Sequence, residues 1–260
     1  FAGGGSIPLE AERLGLASQA SDLNPVAVLI NKALIEIPPR WAGQPPVHPD
    51  DGSTLGNRTW TNSQGLTEDL RYYGRRILAE AQRQIGNLYP NVTLKNGSKA
   101  AVIAWIWART AECPNPACGA RMPLTSTFWL SKKKGKEAWV RPVVKGHSIT
   151  FEISTGPEGP PDPPKAARGA NFRCLVCDEL ATESYIRDQG MAGRLGAQLM
   201  SIVAEGNRSR IYLAPTSEHE AIALDAARPK DVSEALMPAN PRAFSPPFYG
   251  MAEFSSIFTN

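Results

Sequence analysis

Apolar residues recur every three or four positions along several stretches of the chain, which is the spacing of an amphipathic helix. The clearest stretch covers residues 66–89. Its apolar positions are Leu70, Tyr73, Ile77, Ala81 and Ile85, set among arginine, glutamate and glutamine. A stripe of this kind is typical of a helix that packs against a core. Similar spacing predicts helices over residues 6–15 and 181–206.

Two further helices are predicted from the residues that begin them. Asn24-Pro25 is a good cap and first position for a helix over residues 25–34, and the Pro38-Pro39 pair should end it. Ser217 with Glu220 three positions later has the capping-box arrangement, which predicts a helix over residues 217–227.

Short runs rich in β-branched and aromatic residues predict strands. The most apolar covers residues 100–108 and should be buried. Three runs separated by Lys/Gly and Gly/His turns, at 128–130, 137–144 and 148–154, predict a small β module. Two more strands are predicted at 16–21 and 209–214, while residues 40–64, 156–169 and the last thirty residues are irregular in composition.

Composition is that of a globular protein and restricts the function only slightly. With 260 residues, 42% of them hydrophobic, the chain can bury a substantial core. Its formal net charge of +3 permits a nucleic-acid partner without indicating one. No apolar run reaches the roughly 20 residues that a membrane span requires. We therefore expect a cytoplasmic protein without a membrane partner.

The four cysteines form two pairs, Cys113 with Cys118 and Cys174 with Cys177. Each pair can bring two thiolates onto one ion through a tight turn, and structural zinc is often held by four such sulfurs. Gly119 supplies the positive φ that these turns need. Two disulfides or four unrelated thiols are the alternative, although disulfides are rare in the cytosol. The pattern predicts a structural Zn²⁺ in a zinc ribbon, with a first pair and an intervening segment that are longer than usual.

The start of the chain has the features of a cofactor loop. Gly3-Gly4-Gly5 precedes the first predicted helix, and glycines permit a sharp turn and a close approach of backbone to ligand. Asp22 lies about 20 positions on, where a carboxylate suits a pair of ribose hydroxyls. The glycines do not follow the Gly-x-Gly-x-x-Gly pattern of dinucleotide enzymes, and a merely flexible loop is the alternative.

Two short motifs carry a resemblance to a known family. Phe1-Ala2-Gly3-Gly4-Gly5 resembles the end of the Asp-Pro-Phe-x-Gly-x-Gly signature of amino-group DNA methyltransferases, and Ser21-Asp22-Leu23-Asn24-Pro25 resembles their second motif. Residues 1–46 together resemble the bacterial and archaeal adenine-specific DNA methylases that contain a zinc ribbon. The resemblance extends over the whole chain.

The resemblance implies an S-adenosyl-L-methionine-dependent methyltransferase that acts on DNA at adenine N6. The implied cofactor contacts are Phe1, Ala2, Gly3, Gly4, Gly5, Asp22, Leu23 and Asn24. It implies an α/β fold with a partial Rossmann-like sheet, connector and long helix (residues 1–110), an inserted small β zinc-ribbon module (111–180), and an α/β return segment with a proline-rich tail (181–260). Because the chain begins inside a motif, we expect a fragment of a longer protein that is inactive alone.

The catalytic Asp-Pro-Pro-aromatic motif of that family has two imperfect counterparts here. Asp162-Pro163-Pro164-Lys165 lacks the aromatic residue and lies in a proline-rich stretch. Ser245-Pro246-Pro247-Phe248-Tyr249 fits better, but no apolar strand precedes it. We therefore expect the catalytic motif to lie outside this chain.

A basic turn between the cysteine pairs is the candidate DNA contact. It contains Lys132, Lys133, Lys134 and Lys136, with Arg141 close behind and Trp129 and Trp139 nearby. Such residues can contact phosphate and stack on a base. A solvated turn over core aromatics is the alternative. Two other functions also remain open: a zinc-ribbon module that binds nucleic acid or a partner without catalysis, and a methyltransferase of RNA or protein.

Overall fold

The computed structural model describes residues 2–49, 59–94, 96–207, 209–225, 234–238, 240 and 245–257. The chain divides into two compact units, Phe1–Gly86 and Asn87–Asn260. All the described strands lie in the second unit. In the part of the chain that is described, no helix is both long and apolar enough to cross a bilayer.

The regular secondary structure described in the first unit is entirely helical. Its helices are α1 (Ser6–Arg13), α2 (Pro25–Asn31), α3 (Ile37–Arg40) and α4 (Gln64–Ile85). The predicted start of α2 is confirmed, since the Asn24 side chain accepts a hydrogen bond from the Val26 amide and Pro25 follows as the first helical residue.

The helical path continues through Pro38 and Pro39 instead of ending before them. A π-helical turn, Lys32–Glu36, joins α2 to α3. A proline ring in a regular α-helix clashes with the carbonyl four residues earlier. For both prolines that carbonyl lies in the wider π turn, which relieves the clash and lets the helix run on to Arg40.

Helix α4 confirms the clearest helical prediction, but its apolar stripe is not packed in a core. Leu70 and Ile77 are 68% and 69% exposed. Together with Trp41, Pro45 and Val47 they line a groove of about 470 Å³. Among the described residues of this unit, the stripe therefore forms a groove wall.

The second unit contains four antiparallel sheets and two α-helices over its described residues. The strands are β1 (Val92–Thr93), β2 (Lys99–Ala100), β3 (Val102–Glu112), β4 (Arg121–Pro123), β5 (Trp129–Ser131), β6 (Ala138–Lys145), β7 (Ser148–Thr155), β8 (Lys165–Ala167), β9 (Asn171–Arg173), β10 (Leu180–Ala181), β11 (Gly196–Gly206) and β12 (Ser209–Leu213). The helices are α5 (Glu183–Met191) and α6 (Ser217–Asp225). The sheet orders are β1-β2, β12-β11-β3-β4, β5-β6-β7 and β10-β9-β8.

The central strand pair of the second unit is β3 with β11. Their register runs from Thr110 opposite Gly196 to Val102 opposite Ala204. One face of the pair contributes Ala108 and Met200 to a core that also contains Phe128, Val140 and Phe151 of the β5-β6-β7 region. The predicted strand at 100–108 and the predicted three-stranded β module are both present, and they pack against each other. The strand is only partly buried, since Ile103 is 48% exposed.

The mixed α/β class is confirmed, but a Rossmann-like parallel sheet is not found among the described strands, which pair only antiparallel. The strand expected at residues 16–21 is missing, because no described strand pairs with that segment. A single hydrogen bond from the Ala2 amide to the Ser21 carbonyl, 3.1 Å long, joins it to the glycine loop.

The helix expected over residues 181–206 is correct only for its first part. After α5, Gly193 adopts a φ of 68°, and the chain continues as β11. Six consecutive residues of β11, 199–204, are buried because the strand contributes to two hydrophobic clusters, one with Leu199 and Ile202 and the other with Met200. A strand buried on both faces has no alternation of apolar and polar residues, so periodicity alone cannot distinguish it from a buried helix.

The pairing of β3 with β11 also limits where the chain can divide into domains. Strand β3 lies before the first cysteine pair and β11 lies after the second, yet they belong to one sheet. Divisions at residues 110 and 180 would cut through that sheet. The structure instead divides between Gly86 and Asn87.

Candidate functional site

Each cysteine pair is carried by a β-hairpin of the second unit. Cys113 directly follows β3 and Cys118 precedes β4, and these two strands are paired. Cys174 directly follows β9 and Cys177 precedes β10, and this pair is also hydrogen-bonded. The predicted layout, with a cysteine turn at the end of each of two strand pairs and a β module between them in sequence, is present.

The two cysteine turns differ in length but share two backbone features. In the first, the Cys113 amide donates to the Ala120 carbonyl over 2.9 Å, and Gly119 has a φ of 59°. In the second, the Cys174 amide donates to the Glu179 carbonyl over 2.9 Å, and Asp178 has a φ of 61°. Gly119 was predicted for this role, whereas Asp178 was missed. Its position directly after the last cysteine of the turn was the signal, since aspartate tolerates the left-handed region better than most residues.

The two turns bring the four sulfur atoms together. All lie within 4.8 Å of one another. The Sγ atoms of Cys113 and Cys177 are 3.6 Å apart, and those of Cys118 and Cys174 are 3.8 Å apart. Four sulfurs at about 2.3 Å from a tetrahedral zinc ion are about 3.8 Å from one another. These separations are too long for disulfides, whose sulfurs lie about 2.05 Å apart.

The environment of the thiols is uneven. Burial raises the pKa of Cys113 and of Cys174. The backbone amide of Glu179 lowers the pKa of Cys177, which is exposed. Binding to a cation requires the thiolate form and compensates its charge. The four cysteines can therefore hold a metal ion such as zinc, and four protein ligands would leave no position open for chemistry.

Apolar side chains surround the sulfur cluster. The buried residues packed with the cysteines are Ala111, Ala120, Met122, Phe172, Ala181 and Ile186. They come from both hairpins and from α5. The cluster thus lies in one of the cores of the second unit, as expected for a structural site.

The candidate cofactor loop lies in the first unit, where Asp22 is in direct contact with the glycines. The Asp22 Oδ2 atom accepts a hydrogen bond from the Gly3 amide over 3.0 Å, and Oδ1 accepts one from the Asn24 amide over 2.9 Å. These bonds from Asn24 and Gly3 lower the pKa of Asp22. The carboxylate therefore holds the loop in place while remaining ionised.

Asn31 is a further member of this loop that sequence reasoning missed. Its side-chain amide donates to the Gly3 carbonyl over 3.1 Å. At Gly5, which has a φ of 77°, an added Cβ would lie 2.8 Å from the Asn31 Oδ1 atom. Gly5 is thus favoured by its backbone conformation and by the nearby Asn31 side chain. Asn31 is the last residue of α2, and nothing in the sequence indicated that its side chain would reach the glycine loop.

The remaining predicted cofactor residues have different environments. Phe1 lies outside the described residues. Gly4 and Leu23 are exposed, and Asn24 uses its side chain to cap α2. A cavity of about 240 Å³ adjoins the loop and is lined by Ala2, Asp22, Asn31 and Lys32 among others. Its size suits part of a nucleoside-containing ligand, since whole ligand sites occupy roughly 300–1,000 Å³.

The basic turn joins β5 to β6, and its lysines Lys132, Lys133, Lys134 and Lys136 are exposed. Trp139 is buried, and it contacts Trp129 edge to face at 5.8 Å. Lys132 lies over the Trp129 ring at 5.8 Å. Arg141 is paired with Glu152 on the neighbouring strand β7. All four lysines are thus exposed to solvent, although Lys132 also contacts Trp129 and Arg141 is engaged in an ion pair.

The two proline-proline motifs differ in local structure. Asp162-Pro163-Pro164 precedes β8 in an irregular segment. Pro246–Tyr249 forms a short 3₁₀ helix against α5, where Arg187 lies over the Phe248 and Tyr249 rings at 5.6 and 5.8 Å. These aromatic rings are occupied in packing within the second unit.

Comparison of the chain with models of protein families, with curated proteins and with solved structures finds no match.

Proposed function

We propose that this chain is part of an S-adenosyl-L-methionine-dependent DNA methyltransferase that acts on the N6 amino group of adenine. In this proposal the first unit contributes the glycine turn and first helix of a Rossmann-like cofactor site. The second unit is a module held together by a structural zinc ion. The cytoplasmic location and the DNA partner belong to the same proposal.

The observation that carries the proposal is the contact between Asp22 and the Gly3 amide. Residues 19 positions apart meet at 3.0 Å, so the glycine turn and the acid form one site. A merely flexible loop would not require such a contact.

The chemistry of this site suits a nucleoside cofactor. Each Asp22 oxygen accepts one backbone amide and has a second acceptor position, so the carboxylate can also receive two ribose hydroxyls. The exposed backbone of Gly3 and Gly4 permits close approach of the methionine portion of the cofactor. When bound, the cofactor supplies the methyl group, whereas the residues present here only position it.

Calorimetry with S-adenosyl-L-methionine on the 260-residue chain tests the proposal. We expect weak, saturable binding of one ligand per chain. The substitution Asp22→Asn replaces an acceptor oxygen by a donor, and we expect it to weaken binding about tenfold or more, as the loss of a charged hydrogen bond would do.

Asp162→Asn is the matched control, because it makes the same change in an exposed segment away from the glycine loop. It should leave the affinity unchanged. Absence of saturable binding at millimolar ligand, or equal affinity in the two variants, would argue against a cofactor site at Asp22.

A further inference from the structure

A cleft in the second unit combines cationic side chains from separate parts of the chain. It has a volume of about 800 Å³, and its polar lining comes from Thr110, Arg121, Lys145, His147, Ser148 and Gln198. Arg121 lies on β4, next to the first cysteine turn, and Lys145 and His147 lie at the turn between β6 and β7. None of the described residues that line the cleft is acidic. We name it the Arg121 cleft.

Its two permanent cations are not neutralised. Arg141, Arg173 and Arg187 of the same unit each form an ion pair with a carboxylate. Among the described residues, neither Arg121 nor Lys145 does so. One hydrogen bond of 3.5 Å, from Arg121 Nη1 to the Arg194 carbonyl, uses one of the five guanidinium donors. Most of the donor capacity is therefore available to a ligand.

The floor of the cleft is shaped to accommodate the guanidinium. An added Cβ at Gly196 would lie 3.0 Å from Arg121 Nη1 and 2.8 Å from Thr110 Oγ1. A larger residue there would displace Arg121. Across the cleft, the Gln198 side-chain amide donates to the Ile149 carbonyl over 2.8 Å, which ties β11 to β7. The walls are thus fixed by the two packed sheets.

The geometry points to a phosphate-binding surface, and we propose that the Arg121 cleft holds the phosphodiester backbone of duplex DNA. The inference rests on the proposed action on DNA and assigns the contact to this cleft. Arginine and lysine with nearby hydroxyl donors are the groups that position a protein on a nucleic-acid backbone. A concave surface of one charge sign also focuses the field more than a protruding turn does. The cleft is larger than a single phosphate group, so it has room for a stretch of nucleic-acid backbone.

The basic turn and the Arg121 cleft can be tested separately. The turn precedes the first residue of β6, and Lys145 is the last. With eight residues at about 3.3 Å each, Lys145 lies about 25 Å from the basic turn along the strand. Substitutions at sites so distant should act additively.

The experiment measures fluorescence anisotropy of a labelled DNA duplex with the zinc-loaded chain as salt is varied. We expect the double substitution Arg121→Gln with Lys145→Gln to weaken binding about tenfold or more at low salt. It should also reduce the magnitude of the slope of log affinity against log salt by about 1.8, because each lost phosphate contact removes about 0.9 from that slope. Lys145→Gln alone, in a turn remote from the cysteines in sequence, should remove about half of that slope.

The matched control is Lys99→Gln with Arg168→Gln, which removes the same charge from two exposed positions outside the cleft. It should keep nearly the wild-type slope. A cleft variant that binds like this control, a loss confined to Lys132→Gln with Lys133→Gln, or a wild-type chain that binds inorganic phosphate but no duplex would overturn the inference. The outcome is independent of cofactor binding: loss of S-adenosyl-L-methionine affinity at Asp22 tests the proposed function, and loss of DNA affinity at Arg121 tests the cleft.

Discussion

Single residues in left-handed conformations shape both cysteine turns. Gly119 and Asp178 follow the last cysteine of each turn with nearly equal φ angles of 59° and 61°. Glycine adopts this conformation without strain, so its role could be predicted from the sequence. Aspartate occurs in many conformations, so the role of Asp178 was indicated only by its position directly after the last cysteine of the turn.

The conformation of Asp178 leads to a prediction about stability. Asp178→Val should lower the free energy of unfolding of the metal-bound protein by about 1–2 kcal/mol, because a β-branched residue is strained in the left-handed region. Denaturant unfolding measures the change. Asp178→Asn is the control: asparagine tolerates the conformation, so the variant loses only the exposed ion pair with Arg173, which contributes about 0–1 kcal/mol. If the two variants are equally stable, the backbone of residue 178 is not strained as described.

The loop around Asp22 shows a different limit of sequence reasoning. The glycines and the later acid were predicted to contact different parts of one cofactor, and the structure adds a direct hydrogen bond between Gly3 and Asp22 that the sequence did not indicate. The side chain of Asn31 completes the loop from a helix. The angle between α2 and the chain before it decides which asparagine of a helix faces the loop. The local sequence does not indicate that angle.

Among the secondary-structure elements, those with an amphipathic sequence pattern were predicted well, whereas a strand buried on both faces was not. Helix α4 and strands β6 and β7 have polar and apolar sides, and their types were predicted correctly. For strand β11 the sequence pattern predicts a helix, because the buried run has no alternation of apolar and polar residues. Its identity follows from pairing with β3, which lies about 90 residues earlier in the chain, and such long-range pairing is not encoded in a local pattern.

Close contact between α5 and the 3₁₀ helix Pro246–Tyr249 gives a prediction about a glycine. An added Cβ at Gly190 would lie 2.4 Å from the Tyr249 carbonyl oxygen. Gly190→Ala should therefore destabilise α5 by about 1–3 kcal/mol, since backbone must move to make room. Amide hydrogen exchange in α5 measures the change as faster exchange.

Gly74→Ala serves as the comparison. Gly74 lies within α4, and an added Cβ there meets no atom within 4 Å. Alanine should stabilise that helix by about 0.5–1 kcal/mol, because glycine is the poorer helix former. Slower exchange in α4 and faster exchange in α5 are the expected pair of results; unchanged exchange in α5 would mean that the contact with Tyr249 is not close.

For the molecule as a whole, the sulfur cluster connects parts of the second unit that are distant in sequence. One cysteine turn belongs to the sheet of β3 and β11, and the other belongs to the small sheet of β8, β9 and β10. Residues from both turns and α5 share one apolar core. A metal ion at the four sulfurs would join the two sheets, whereas without it the two buried thiols with raised pKa would stay protonated and uncrosslinked.

Metal analysis of the purified chain, combined with thiol labelling before and after chelation, tests the metal centre most directly. We expect about one zinc ion per chain, four thiols that react only after the chelator removes the metal, and loss of folded structure in the β9–β10 hairpin on removal. The matched variant Cys177→Ser, which changes the one exposed ligand, should bind zinc more weakly than wild type. Less than about half an equivalent of zinc, with all four thiols freely reactive from the start, would contradict a structural metal site at Cys113, Cys118, Cys174 and Cys177.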